Sequence, residues 1–407
     1  MIGTGDRVSD PVGSGWVLAL AMAFFVTGCS LLVITGPSLG ALHAFAAFII
    51  LAIVAALNQL LPVLTNAPVA RPQLVISVAL GFATGFALLI LAFYGLPTFL
   101  AAAIVLSASA LVWVVWNIIR LIVGRGESQT RSLMACAILA FAIAAGLGAS
   151  MAGSFSGAWA APVAALAPLH ATLAIVGFAS LLILAVSYRF VPMFAVAHGT
   201  AYGRSLTQWL AVAGAAVVAI FVHAAVGFRL GIMALLIAAV LIGMSHMQTL
   251  RLRLRKRLDV SLRYGSVAWG FAILALIATL ASSWQSRFGL PAVILAVLGW
   301  VCISILGYAY KVAGFLAWQA AKDRDPRAQL PALSTAVNLP LAYVALTLVS
   351  VGSATAAVFA YISPDRMQVG LDIYAGGGLC AVVALAGLAS SYVFRKETDA
   401  HATRATG

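Results

Sequence analysis

Residues 41–64 read ALHAFAAFIILAIVAALNQLLPVL. The run holds no Asp, Glu, Lys or Arg, and its first polar pair after the start is Asn58-Gln59. A bilayer core of about 30 Å is crossed by about 20 apolar residues in a helix. Inside lipid every backbone N–H and C=O must be satisfied within the protein, so a run of this length is a transmembrane helix.

The rest of the chain repeats that texture. Of 407 residues, 64% are hydrophobic and 8% charged, against about 25% charged in an ordinary soluble domain. A soluble globular enzyme, a disordered protein and a disulfide scaffold are excluded. The reading is an all-α polytopic membrane protein, one domain over 1–407. Twelve transmembrane helices are expected, at about 16–35, 40–64, 74–94, 98–121, 131–152, 165–191, 206–226, 229–250, 265–283, 291–317, 336–362 and 372–394. The polar start MIGTGDRVSDPVGSG lacks the basic-then-apolar layout of a cleavable signal, so the first run reads as a retained span.

The net charge of +13 is a matter of topology rather than nucleic acid, for which no motif or aromatic-laced basic patch exists. Charge collects after the even spans: Arg71; Arg120, Arg125 and Arg131; Arg189 and Arg204; Arg251, Arg253, Arg255, Lys256, Arg257 and Arg263; Lys311, Lys322, Arg324 and Arg327; then Arg395, Lys396 and Arg404. The loops after odd spans carry little beyond Arg229 and Arg287. The positive-inside rule then puts both termini inside, N-in and C-in. Trp159 and Trp284 fall in outer loops, and Trp16, Trp209 and Trp318 near the inner face. The basic run 251–263 is a topology determinant that also meets anionic headgroups or an acidic partner.

Two later stretches resemble the first. Residues 171–194 read ATLAIVGFASLLILAVSYRFVPMF, and 293–316 read VILAVLGWVCISILGYAYKVAGFL. Without gaps, the first and second share seven identities in 24, including Phe48/Phe178 and Pro62/Pro192. The second and third share six, including Gly177/Gly299 and Tyr188/Tyr310. The copies fall at spans 2, 6 and 10. That period predicts three four-helix units, about 16–121, 131–250 and 265–394, around a pseudo-threefold axis. Common transporters repeat in five- or six-helix units instead.

Ionisable groups inside a membrane are costly and therefore functional candidates. His43 opens span 2, His170 opens span 6 and His223 closes span 7, all toward the outer leaflet. His198, His246 and His401 are expected at or beyond the inner face. Neutral imidazole ligates haem iron and copper; it also simply caps helices or bonds a carbonyl. His43 and His170 are offset by three residues in the repeat alignment, about one helical turn, so they occupy similar faces. No Asp or Glu lies mid-span; the nearest is Asp372, at the outer start of span 12. A carboxylate proton relay is hard to build. Cys29, Cys136, Cys302 and Cys380 stand apart with no metal spacing. GSFSG at 153–157 is no nucleophile elbow, because its third residue is Phe155.

The chain resembles subunit I of the haem-copper oxidase superfamily: twelve spans, both termini inside, a three-by-four repeat and histidines at the outer ends of spans 2, 6 and 7. LHATLAIVGFASLLILAVSYRFVPMFAVAHG and LHAFAAFIILAIVAALNQLLPVL look most like its small oxidase-like, NnrS-like membrane proteins. The resemblance implies that His43 stands where the low-spin haem ligand would be. It makes His170 a copper ligand, and His223 a remnant of the span 7 pair that also binds metal. Span 10, which should supply two further haem ligands, has no histidine. The resemblance thus implies the fold and a reduced haem or copper set serving redox relay, sensing or scavenging, rather than oxygen or nitric oxide reduction. A bacterial inner-membrane location and a membrane or redox partner protein are expected. The alternatives are a cofactor-free membrane subunit or assembly partner of this fold, and a small-solute or metal transporter.

Overall fold

The computed structural model describes residues 11–67, 71–197, 204–254, 257–327, 330 and 336–393. Among these the chain is helical throughout, with no strand. The helices are α1 (Pro11–Thr35), α2 (Leu39–Thr65), α3 (Pro72–Phe93), α4 (Phe99–Val123), α5 (Ser128–Phe155), α6 (Val163–Ala195), α7 (Arg204–Ile220), α8 (Ala225–Arg251), α9 (Val260–Ser282), α10 (Ser286–Arg324), α11 (Leu339–Ile362) and α12 (Met367–Val393).

Among the described residues, eleven helices are long and apolar enough to cross a membrane. The protein is therefore polytopic and lipid-embedded. The place of the expected seventh span is held by α7, whose 17 residues reach about 25 Å. It turns at Phe221–His223 before α8 begins. In contrast, α10 runs for 39 residues, well beyond the expected 291–317.

Local chemistry sets several boundaries. Ser38 caps α2 by accepting from the Ala41 N–H at 3.2 Å, Asn338 caps α11 through the Leu341 N–H, and Pro72 opens α3. Asn66 ends α2 in the left-handed region. Neighbours in sequence pack as neighbours in space, and α12 returns against α1, so the helices close on themselves. Phe25 of α1 seals that closure against Phe45, Phe48 and Tyr374, at centroid distances of 4.7 to 6.4 Å.

Residues of the three similar stretches line one cavity. Ile53, Ile183 and Ile305 border a single apolar cavity of about 60 Å³, together with Ala56, Val186 and Tyr308. Each trio occupies one aligned position of the three stretches. Two of these helices also share a backbone irregularity. α6 is π-helical over Leu173–Ser180 and α10 over Leu295–Cys302. Both segments begin and end at aligned residues. A π turn frees a carbonyl that lipid cannot satisfy. In α6 the Ser180 hydroxyl donates to Ile175 O at 2.8 Å. Trp300, inside the α10 π segment, donates its indole N–H to the same Ser180 oxygen at 2.8 Å. Ser187 and Tyr308 join the two helices again lower down, at 2.5 Å.

Several charges assigned to loops lie inside helices. Arg120 belongs to the last turn of α4 and is fully buried, with Nη1 3.3 Å from Asn117 Oδ1. A cavity of about 20 Å³ separates it from Asn58. Facing inward from a helix C-terminus, it meets the negative end of the α4 dipole. Lys311 lies within α10 and reaches Asp259, the N-cap of α9. Arg229, an exception to the charge rule, bonds the Ser283 hydroxyl and carbonyl at 3.0 Å and stacks over Trp284. Arg255, Lys256, Arg395, Lys396 and Arg404 lie outside the described residues.

Candidate functional site

His43 sits in the first turns of α2, half-buried. Its Nδ1 is 2.8 Å from Leu39 O, one turn back. The Phe93 ring of α3 lies against it, with centroids 4.9 Å apart. His170, in the N-terminal part of α6 before the π segment, places Nδ1 2.8 Å from Ala144 O of α5. Gly148 makes room for it: a Cβ there would stand 3.0 Å from His170 Cε1. A carbonyl can only accept, so Nδ1 carries the proton in both rings. In the neutral form each Nε2 then keeps its lone pair.

His223 stands apart. It follows α7, is exposed, and places Nε2 2.9 Å from Ala165 O of α6. Among the described residues, no three His, Cys, Asp or Glu side chains gather to hold a metal. Each of the three expected histidines thus bonds a backbone carbonyl: His43 within its own helix, His170 across to α5 and His223 across to α6. His198 and His401 lie outside the described residues.

His246 has a different setting. It is buried within α8, 6% exposed, five residues before the Arg251 helix end. Ser266 of α9 lies 3.1 Å from its Nε2. The Ser266 hydroxyl donates to Leu262 O at 2.8 Å, so it accepts the imidazole N–H. His246 forms part of the wall between two spaces. One is a lateral cleft of about 650 Å³ between α8 and α9, which also meets Arg251 and Trp269. The other is a crevice of about 30 Å³ with Ser187, Ser245 and Thr249 on its lining. A crevice of that size has room for one water. Ser187 continues to Tyr308, at the axial cavity. The sequence signal was Ser245, His246 and Thr249, polar residues that follow the uninterrupted apolar run 230–244 of the same helix.

No family model matches the chain, and no curated protein sequence does.

The group implied by the resemblance can be tested against these residues. A haem-sized group needs a pocket of about 300 Å³ or more. The axial cavity is far smaller and wholly aliphatic apart from Tyr308. Neither it nor the α8–α9 cleft is bordered by His43, His170 or His223. Phe93 already covers one face of the His43 ring. The residues present do not fit a porphyrin. A single ion needs no such volume. Two imidazoles whose far nitrogens are held by backbone carbonyls have the orientation that metal-bound histidines commonly have.

Proposed function

We propose that the protein is an integral membrane copper-binding protein of haem-copper-oxidase-like architecture. Its site is the histidine pair His43 and His170, at the outer boundary of the first two four-helix units. The observation that carries this reading is the shared geometry of the two rings: each gives its Nδ1 proton to a backbone carbonyl and keeps an Nε2 lone pair that can bind an ion. Imidazole suits copper, and bound copper would supply capture of the ion or one-electron exchange with a partner. The aligned residues around one axis and the matching π segments support three related four-helix units. The arginine-rich helix ends support both termini lying inside, in a bacterial inner membrane. The narrow apolar axis favours a binding protein over a solute carrier.

The test is metal analysis and an optical spectrum of the detergent-purified full chain, supplied with copper and haem. One copper per chain is expected, with no haem absorption band. His43→Ala and His170→Ala should each weaken copper binding by about tenfold or more. His223→Ala should leave it unchanged. Full copper retention in both variants, or a chain that takes no copper, refutes the assignment. Stoichiometric haem would replace the ion with a porphyrin.

A further inference from the structure

A lateral cleft of about 650 Å³ opens between α8 and α9, and neither His43 nor His170 borders it. Its walls are held open by small residues. A Cβ at Gly270 would meet nothing within 4 Å, and one at Gly243 only Ile273 Cδ1, at 4.0 Å. Met244 and Met247 border it and are exposed on the outer surface of the helix ring. The one strongly polar pair in its depth, His246 and Ser266, spends its N–H and O–H on Ser266 and on the Leu262 carbonyl. The cleft spans Val240 to Arg251 along α8, about 16 Å of helix and roughly half the hydrocarbon thickness. It therefore faces acyl chains over its length.

The mouth of the cleft has a different character. Arg251 closes α8 and lines the opening with an exposed guanidinium that bonds no other described residue. Arg253 and Arg257 follow, both exposed. The nearby carboxylate, Asp259, is committed to Lys311 and Ser261. An exposed cation at the helix end above an apolar slot matches one kind of molecule: an amphiphile with an anionic head and a hydrocarbon tail.

We propose that the α8–α9 cleft is a binding site for one anionic phospholipid. Its phosphate lies at Arg251, and an acyl chain lies along Met244, Met247 and Gly270. A basic helix end alone attracts any anionic bilayer without regard to shape. The cleft adds a demand for a chain-sized slot, and that demand separates a site from a charged surface.

The experiment is native mass spectrometry of the delipidated full chain, titrated with palmitoyl-oleoyl phosphatidylglycerol or with phosphatidylcholine of the same chains. One phosphatidylglycerol should be retained in preference to phosphatidylcholine by about fivefold, the effect of roughly one arginine near the surface. Arg251→Gln should bring the two lipids close to parity. Gly270→Leu, whose side chain enters open space, should lower retention of both while leaving the charge intact. Arg327→Gln, at another exposed arginine, should retain the full preference. Equal retention of both lipids by the parent overturns the proposal. So does an unchanged preference in Arg251→Gln. Undiminished retention in Gly270→Leu means that the lipid rests on surface charge and the cleft is not its site.

Discussion

Gly370→Leu is expected to leave almost no monodisperse protein. Gly370 of α12 faces α11, where a Cβ would fall within 2.6 Å of the Ala356 Cα and closer still to its backbone nitrogen. Gly352 of α11 answers it: a Cβ there would lie 2.6 Å from the Tyr374 Cα and 2.8 Å from Gly370 O. The obstacles are backbone atoms, which have no rotamer to escape into. Overpacking against side chains costs about 1–3 kcal/mol; parting two backbones costs at least the upper end of that range. Close approach of small residues is also the main attraction between helices in lipid, where burial of apolar surface drives nothing. Thermal unfolding and size-exclusion profiles read the effect. Gly376→Ala supplies the contrast, because its Cβ meets nothing within 4 Å and Ala favours a helix by about 1 kcal/mol. A Gly370→Leu protein of unchanged thermal midpoint would contradict this account of the α11–α12 contact.

Asp259→Ala is expected to cost about 3–5 kcal/mol, the effect of stranding one partner of a buried ion pair. Asp259 Oδ2 lies 2.5 Å from Lys311 Nζ, with side-chain exposures of 7% and 19%. The carboxylate also accepts from the Ser261 N–H and hydroxyl, at 3.1 and 2.8 Å, and so caps α9. Burial by itself raises the Asp259 carboxyl, but the Lys311 hydrogen bond and charge and the Ser261 donors outweigh it. They hold it below the ordinary carboxylate value. The stabilisation is then fully present above about pH 4, the unfolded carboxyl value. It is lost as pH falls through the lower native value. Asp259→Ala should show a reduced thermal midpoint at pH 7 and a flatter midpoint-versus-pH curve below pH 4. Adding Lys311→Met should restore most of the loss, since no buried cation is then left unpaired. A double variant as unstable as the single one would trace the effect to the lost cap instead.

Both contacts show where the limits of sequence reading fall. Asp259 and Lys311 are 52 positions apart, and Lys311 reads as one more inner-face cation until α10 is seen to carry it toward α9. Arg120 likewise counts toward topology in the sequence, yet it lies buried against Asn117. The seventh apolar run, continuous in composition through His223, breaks at Ile220 because the chain turns there to send α8 back along α7. Nothing in the sequence told that the His246 face of α8 turns to Ser266 of α9.

The chain's own residues determined its solvent, its helices and the likeness of the three stretches. Those properties are local: span length, apolar content and charge at helix ends act within a few residues, and a gap-free likeness survives in any packing. The tertiary structure alone decided which polar groups meet. That depends on the rotation and approach of helices far apart in sequence, which a one-dimensional pattern does not encode. Hence the carbonyl partners of His170 and His223 and the open slot beside His246 emerge only where packed helices fix the angle at which each side chain leaves its axis.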